Sequence, residues 1–187
     1  MERDSMQAPL CTSNIDVITA IRDRRSIRRY TAEPVDETAL HCILQAGLAA
    51  PTAMNRRPFH FVVLRERDTL AQLAAGKKYA WMLSDAPCAI AILGDKAIEN
   101  RPEHLYADCF AATQNMLLAI HALKLGGVWI GVSVDSEWYE LLQEVLKLPE
   151  NIIPTAVISL GHPAEARPVP DTWEPEKIHY ETWQGKW

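Results

Sequence analysis

The sequence predicts a single mixed α/β domain, and three observations carry that expectation. Helix-like and strand-like segments alternate over most of the chain. No repeat, low-complexity tract or Gly/Ser-rich linker divides it. At 187 residues, 48% of them hydrophobic and 23% charged, the chain is long enough to bury its own core.

Each element has its own signal. Ser13 or Asn14 can cap a first helix, with Ile15, Ile18 and Ile21 recurring on one face until about Arg24. Asp36 caps a second, in which Leu40, Ile43, Leu44 and Gly47 follow the helical period and Pro51 sets the limit. Residues 59–64 (FHFVVL) read as a strand, 68–76 as a short helix, and 88–93 (CAIAIL) as a buried strand. The longest helix is expected at about 104–125. Phe110, Met116, Leu117, Ile120 and Leu123 leave it little polar face, which predicts burial in a core or a subunit interface. Gly126 and Gly127 offer that helix a C-terminal cap. A strand is expected at 128–134, an amphipathic helix at 137–147 and a last strand at 155–160 (TAVISL). After Gly161 the chain turns polar and proline-rich, yet it holds three of the six tryptophans, Trp173, Trp183 and Trp187. Leaving such rings in water forgoes roughly 1.5–3 kcal/mol each. Residues 162–187 are therefore expected to form an extended C-terminal arm docked on a surface, preferably a partner subunit's. Residues 1–13 are expected to be a flexible N-terminal extension, with one domain over 14–187.

Composition excludes several functions. A net charge of −5 argues against a generic nucleic-acid binder. The apolar run at 86–93 is too short to cross a bilayer, and the opening MERDSMQAPLCTSN lacks the apolar region of a signal peptide. Cys11, Cys42, Cys88 and Cys109 show neither CxxC nor zinc-like spacing, so small core fillers are expected rather than a disulfide framework or a metal site. A cytoplasmic, reducing-compartment protein is the corresponding expectation.

The charge is nevertheless uneven. Arg22, Arg24, Arg25, Arg28 and Arg29 fall within eight positions opposed only by Asp23, and Arg56 and Arg57 make a second knot. A solvated helix end and an anion site are both open readings. Arginine's rigid fork, which suits phosphate, favours the second. His104 and Asp108 stand four apart but lack a third ligand, so a helix-surface pair is expected and no metal. His121 reads as a satisfied core histidine, and His41, His60, His162 and His179 show no site-like spacing. No GxSxG, HExxH, P-loop or GxGxxG occurs.

Three loop signals combine further: residues 24–30 (RRSIRRY), 50–59 (APTAMNRRPF) and 125–131 (LGGVWIG), the last echoed by 160–163 (LGHP). With the closing 179–183 (HYETW), their order resembles the FMN-dependent nitroreductase family over residues 15–183. The resemblance implies an α+β sandwich with a central, mostly antiparallel sheet flanked by helices. It also implies an intertwined homodimer with FMN sites at the subunit interface. In that picture Arg24, Arg25 and Ser26 hold the FMN phosphate with Arg28 nearby, and Arg24 or Arg28 faces the flavin N1 and C2 carbonyl. Pro51, Thr52 and Asn55 reach the flavin from the other subunit. Ile130 and Gly131 pass close to the isoalloxazine. NADH or NADPH visits as hydride donor to flavin N5, and a nitroaromatic or quinone then takes the electrons in ping-pong turnover. No further catalytic side chain is implied, because the flavin carries the chemistry. Related flavin-cleaving or dehalogenating chemistry, and a non-enzymatic anion-binding or nucleic-acid-binding module built on residues 22–29, are the alternatives. Similar sequences often carry a basic phosphate ligand where this chain has Thr172 beside Asp171, which leaves Arg167 or Lys177 to compensate.

Overall fold

The computed structural model describes residues 11–185. Nine regular elements are arranged as helix α1 (Val17–Asp23), α2 (Glu37–Leu48), strand β1 (Phe59–Leu64), α3 (Arg67–Ala75), β2 (Cys88–Asp95), α4 (Pro102–Ala122), β3 (Gly126–Gly131), α5 (Glu137–Val145) and β4 (Ile152–Gly161). The strands form one antiparallel sheet in the order β1-β2-β4-β3. The helix–strand alternation thus builds an α+β sandwich rather than a parallel sheet.

Strand geometry splits the core into two layers, because successive side chains point to opposite faces. Cys88, Ile90 and Ile92 of β2 face α2 and α4, where Ile43, Leu105, Met116 and Ile120 meet them. Ala89, Ala91 and Leu93 face Leu70, Leu73, Trp138 and Leu142 of α3 and α5. β2 and β4 are buried almost throughout. β4 begins three residues before the expected strand and passes through Pro154. A register shift at Ile92/Leu93, opposite Pro154, accommodates a residue that cannot donate to the ladder.

Several expectations need correction. Asp36 caps α2 as expected, its side chain accepting from Ala39 N at 2.9 Å. The cap of α1, however, is Asp16 rather than Ser13 or Asn14. Ile18 and Ile21 of α1 are 68% and 54% exposed, so the face their period defines is not core within this chain. Gly126 and Gly127 do not cap α4. Lys124 takes the left-handed conformation (φ 62°) at that corner, and both glycines already belong to β3. The absence of any disulfide is also overturned. Cys11 and Cys42 are bonded, with Cα atoms 5.6 Å apart, tying residue 11 to α2 across a separation of 31 residues. Cys88 and Cys109 are buried thiols, as expected of core fillers. Residues 1–10 of the expected N-terminal extension, and Trp187 of the arm, lie outside the described residues.

The arm divides in two. Residues 162–168 follow the domain's own surface: Pro163 bridges Tyr30, and the Pro168 carbonyl accepts from Arg25 Nε at 3.1 Å. Residues 169–177 are exposed throughout, and Trp183 is 82% exposed. No helix among the described residues is long and apolar enough to cross a membrane.

Candidate functional site

The arginine-rich segment leaves α1 at Arg24 in an extended conformation and runs beside the start of β3. Ser26 pairs with Gly127, and Ile27 N donates to the Gly127 carbonyl at 3.1 Å. Gly126 makes that approach possible, since a Cβ there would sit 2.6 Å from Ile27 Cγ2. Below, the Tyr30 hydroxyl donates to the Ile27 carbonyl at 2.6 Å and accepts from Ser159 Oγ at 3.0 Å. Burial raises its proton affinity far above an ordinary phenol's. The backbone carrying the arginines is therefore pinned, while their side chains are distributed around it.

Arg24 and Arg25 line a cleft of about 240 Å³ with His121, Lys124 and Arg167. The cleft is short of negative charge. Burial, and secondarily the neighbouring Arg25, push the Arg24 guanidinium below its usual pKa. Arg25 spends Nη1 on the Arg24 carbonyl and Nε on the Pro168 carbonyl, which leaves Nη2 buried without a partner. Glu165 on the same wall is already engaged, accepting from Arg28 N at 2.7 Å and from Arg167 at 2.9 Å. Asp23 is held by Arg22 at 2.6 Å. His121 lines this cleft instead of sitting satisfied in the core. Burial lowers its pKa, and Arg24 and Arg25 add to that depression against the opposing pull of Asp23. Such a surplus of desolvated donors is the electrostatic make-up of an anion site.

A second cleft, of about 300 Å³, opens along β3, where Arg28 meets Trp129, Ile130 and Gly131. A Cβ built on Gly131 would find nothing within 4 Å, so the strand end faces open space. Its outer wall comes from residues 77–84, a run of tight helical turn that the sequence did not reveal. Lys77 Nζ donates to the Gly131 carbonyl at 2.6 Å and lies 4.7 Å from the Trp138 ring centroid. Burial moves that ammonium's pKa downward. Tyr79 and Trp81 complete the wall.

Residues 51–57 form a strained loop, with Met54, Asn55 and Arg57 at φ of 52°, 54° and 56°. Buried acids hold it. Asp108 Oδ1 of α4 accepts from Ala53 N at 2.9 Å, and Oδ2 is buried without a partner. Glu99, wholly buried, accepts from Arg101 Nε and Nη2 at 3.0 Å and approaches Arg56 at 3.5 Å. The Arg101 guanidinium, above all, holds the Glu99 carboxyl down at about 2. Arg57 donates from Nη2 to the Leu48 carbonyl at 2.7 Å and from its backbone N to Thr52 Oγ1 at 3.1 Å. The second arginine knot is thus structural. His104 and Asp108 do not pair. His104 turns toward Glu99 at 3.8 Å, and no cluster of metal ligands occurs among the described residues.

The predicted residues therefore fall into three groups. Arg24 and Arg25 share one cleft beside Ser26, while Arg28, Ile130 and Gly131 share the next. Pro51, Thr52 and Asn55 sit apart: their loop meets α4 at Asp108, and the Arg24 cleft meets it at His121, thirteen residues on. That is about 20 Å along the helix axis. Arg167 reaches the first cleft, whereas Lys177 pairs with Glu174 on the arm. Asp108 is a buried loop anchor rather than the expected helix-surface partner of His104, and Glu99, Lys77, Tyr79 and Trp81 were not anticipated from the sequence. Two lysines and two aromatics between short elements (KKYAW) were the available signal for the last three.

Comparison with known proteins fits this architecture. The sequence profile of the nitroreductase family matches residues 21–78 and 71–162. A Methanothermobacter thermautotrophicus protein provisionally named NADH dehydrogenase/NAD(P)H nitroreductase is 41% identical over 171 residues, which cover 91% of this chain and 90% of the relative. An FMN-dependent nitroreductase from Clostridium difficile superposes with a TM-score of 0.81 at 29% identity, covering 88% of this chain and 99% of its own. A Desulfovibrio desulfuricans structure, provisionally assigned as a nitroreductase and solved in complex with FMN, gives a TM-score of 0.72 at 36% identity over 84% of this chain and 94% of its own. With the sheet, the helical layers and most of the chain's length in common, this chain belongs to the nitroreductase family.

Proposed function

We propose that this chain is an FMN-dependent NAD(P)H oxidoreductase that works as a homodimer. The observation that carries the reading is the unneutralised Arg24–Arg25 cleft, with its buried, unpartnered Arg25 Nη2. A phosphate dianion supplies the missing acceptor. The residues present fit FMN in two further respects. Arg28 and the open side of Gly131 lie one cleft along β3, where a ring joined to that phosphate through a ribityl chain would be expected. A family relative has been solved with FMN. When bound, FMN supplies hydride acceptance from NAD(P)H and electron delivery to an acceptor such as a nitroaromatic or quinone.

This chain's residues then have separable tasks. Arg24, Arg25 and Ser26 hold the phosphate, with Arg167 in the position the expected basic ligand near Thr172 does not fill. Arg28 is the cation for the N1/C2-carbonyl edge, because it lines the Gly131 cleft and Arg24 does not. The backbone at Ile130 and Gly131 bounds the ring. Asn55 and its loop, about 20 Å along α4 from Arg24, serve the site of a second subunit. The exposed Ile18 and Ile21 and the arm's Trp183 supply the apolar surface such a subunit would cover. Donor and acceptor use one pocket in turn, giving ping-pong kinetics.

Flavin titration tests the phosphate assignment. The wild type binds FMN and turns yellow. Arg24→Ala weakens FMN binding by at least tenfold, the loss expected of a charge-assisted contact of about 1.5–3 kcal/mol. Arg167→Ala weakens it several-fold less, because Arg167 is partly neutralised by Glu165. Equal losses in the two variants contradict the assignment, and a protein that takes up no FMN contradicts the function.

A further inference from the structure

The outer wall of the Gly131 cleft carries a chemistry that flavin binding does not require. Lys77, Tyr79 and Trp81 line the cleft together with Arg28, and Lys78 and Arg29 stand over the two rings. Tyr79 is 73% and Trp81 40% exposed. Each ring has a cation over it: Lys78 lies 5.8 Å from the Tyr79 centroid and Arg29 5.8 Å from the Trp81 centroid. None of the residues lining the cleft is acidic, in a chain whose net charge is −5. Lys77 fixes this wall to the sheet through the Gly131 carbonyl, so the rings and charges belong to a positioned element.

We infer that this wall selects the electron acceptor, and that the preferred acceptors are planar aromatics bearing a carboxylate or sulfonate. The inference rests on the oxidoreductase reading above. Two exposed aromatic faces offer stacking to a flat molecule, and the surrounding cations attract and retain an anionic substituent. Ile130 is buried and Tyr79 lies exposed at the rim, so the acceptor's charged end would face Lys78 over the Tyr79 ring while its reducible group points toward Ile130. Lys78 stands over the Tyr79 ring and outside the phosphate cleft, so its charge bears on a molecule stacked at the rim and not on the FMN phosphate.

The test compares 4-nitrobenzoate with the uncharged 4-nitrobenzyl alcohol on FMN-loaded protein at saturating NADH. Direct binding is measured in parallel by calorimetry on the oxidised protein without NADH. The wild type should favour the anion in both kcat/KM and Kd, and raising the ionic strength should shrink that preference, since exposed charges are screened. Lys78→Glu should lower the anion-to-neutral ratio roughly tenfold in both readouts, as expected for reversing one charge near a rim-bound anion. Lys78→Gln should lower it by a smaller factor. A ratio unchanged within twofold, in variants that still reduce both acceptors, overturns the acceptor assignment. A loss shared equally by both acceptors shows that the cations do not discriminate the acceptor's charge and overturns it as well. Protein that binds no FMN and reduces neither compound removes the oxidoreductase reading itself, which sets that failure apart from the others.

Discussion

At the scale of single residues, this protein uses its charges in two opposite ways. Arg56, Arg57 and Arg101 are matched to carboxylates and carbonyls and hold a loop. Arg24 and Arg25 are left without carboxylate partners beside a cleft. Glu99 is the centre of the first kind. Its carboxyl is depressed from 4.5 to about 2 by Arg101, so its contribution to stability is complete above about pH 4.5 and is lost as pH falls toward 2. The melting temperature of the wild type should therefore drop steeply across that window. Glu99→Gln should melt lower at neutral pH, because Arg101 and Arg56 lose their counter-ion, and should show a shallower acid limb. Thermal melts of the two proteins from pH 7 to pH 2.5 check this, and parallel acid limbs would remove Glu99 from that role. Arginine content alone could not separate the two uses, because pairing depends on which acids the fold brings near. Glu99 lies more than forty residues from Arg56.

At the scale of elements, the decisive contact is the docking of residues 24–28 on the start of β3. Gly126 reads in sequence as a helix stop, since glycine follows an apolar helical run. In the structure it is a packing site, its missing Cβ taken up by Ile27. Gly126→Ala should destabilise the fold by about 1–3 kcal/mol through overpacking. It should also weaken FMN binding, because the backbone that carries Arg24 and Ser26 is displaced. Ile27→Ala in the same chain vacates the contested space and should recover part of both losses, so the double mutant is less impaired than the sum of the singles. Denaturant melts and flavin titration of the three variants read this coupling. Strict additivity would mean that Ile27 and Gly126 do not compete. The helix and strand cores were legible because burial leaves a period in the sequence. The wall at 77–84 was not, since little more than two turns of tight helix carry no such period.

At the scale of the whole molecule, the surfaces left over point to a second copy. α1 buries only Ala20 in its own chain, and its isoleucines face outward. The arm leaves the domain after Pro168 with Trp173 and Trp183 largely exposed. In the proposed homodimer, charging the isoleucine face (Ile18→Asp with Ile21→Asp) should leave a monomer in light scattering. FMN affinity should fall with it, because the loop bearing Asn55 can no longer reach a neighbouring site. A charged variant that stays dimeric and keeps its flavin would place the interface elsewhere.

The sequence by itself determined most of the helices and strands and the three loop signals, because burial periodicity and clustered arginines are local properties of the chain. Membership of the nitroreductase family was legible in the same way, through motifs whose order survives without knowledge of contacts. Only the tertiary structure decided which charges are spent. It set Arg24 and Arg28 in different clefts, brought Arg167 across from the arm, bonded Cys11 to Cys42 and turned a helix stop into a packing glycine. Those outcomes depend on which distant residues share a few ångströms of space, and packing sets those distances where sequence separation does not.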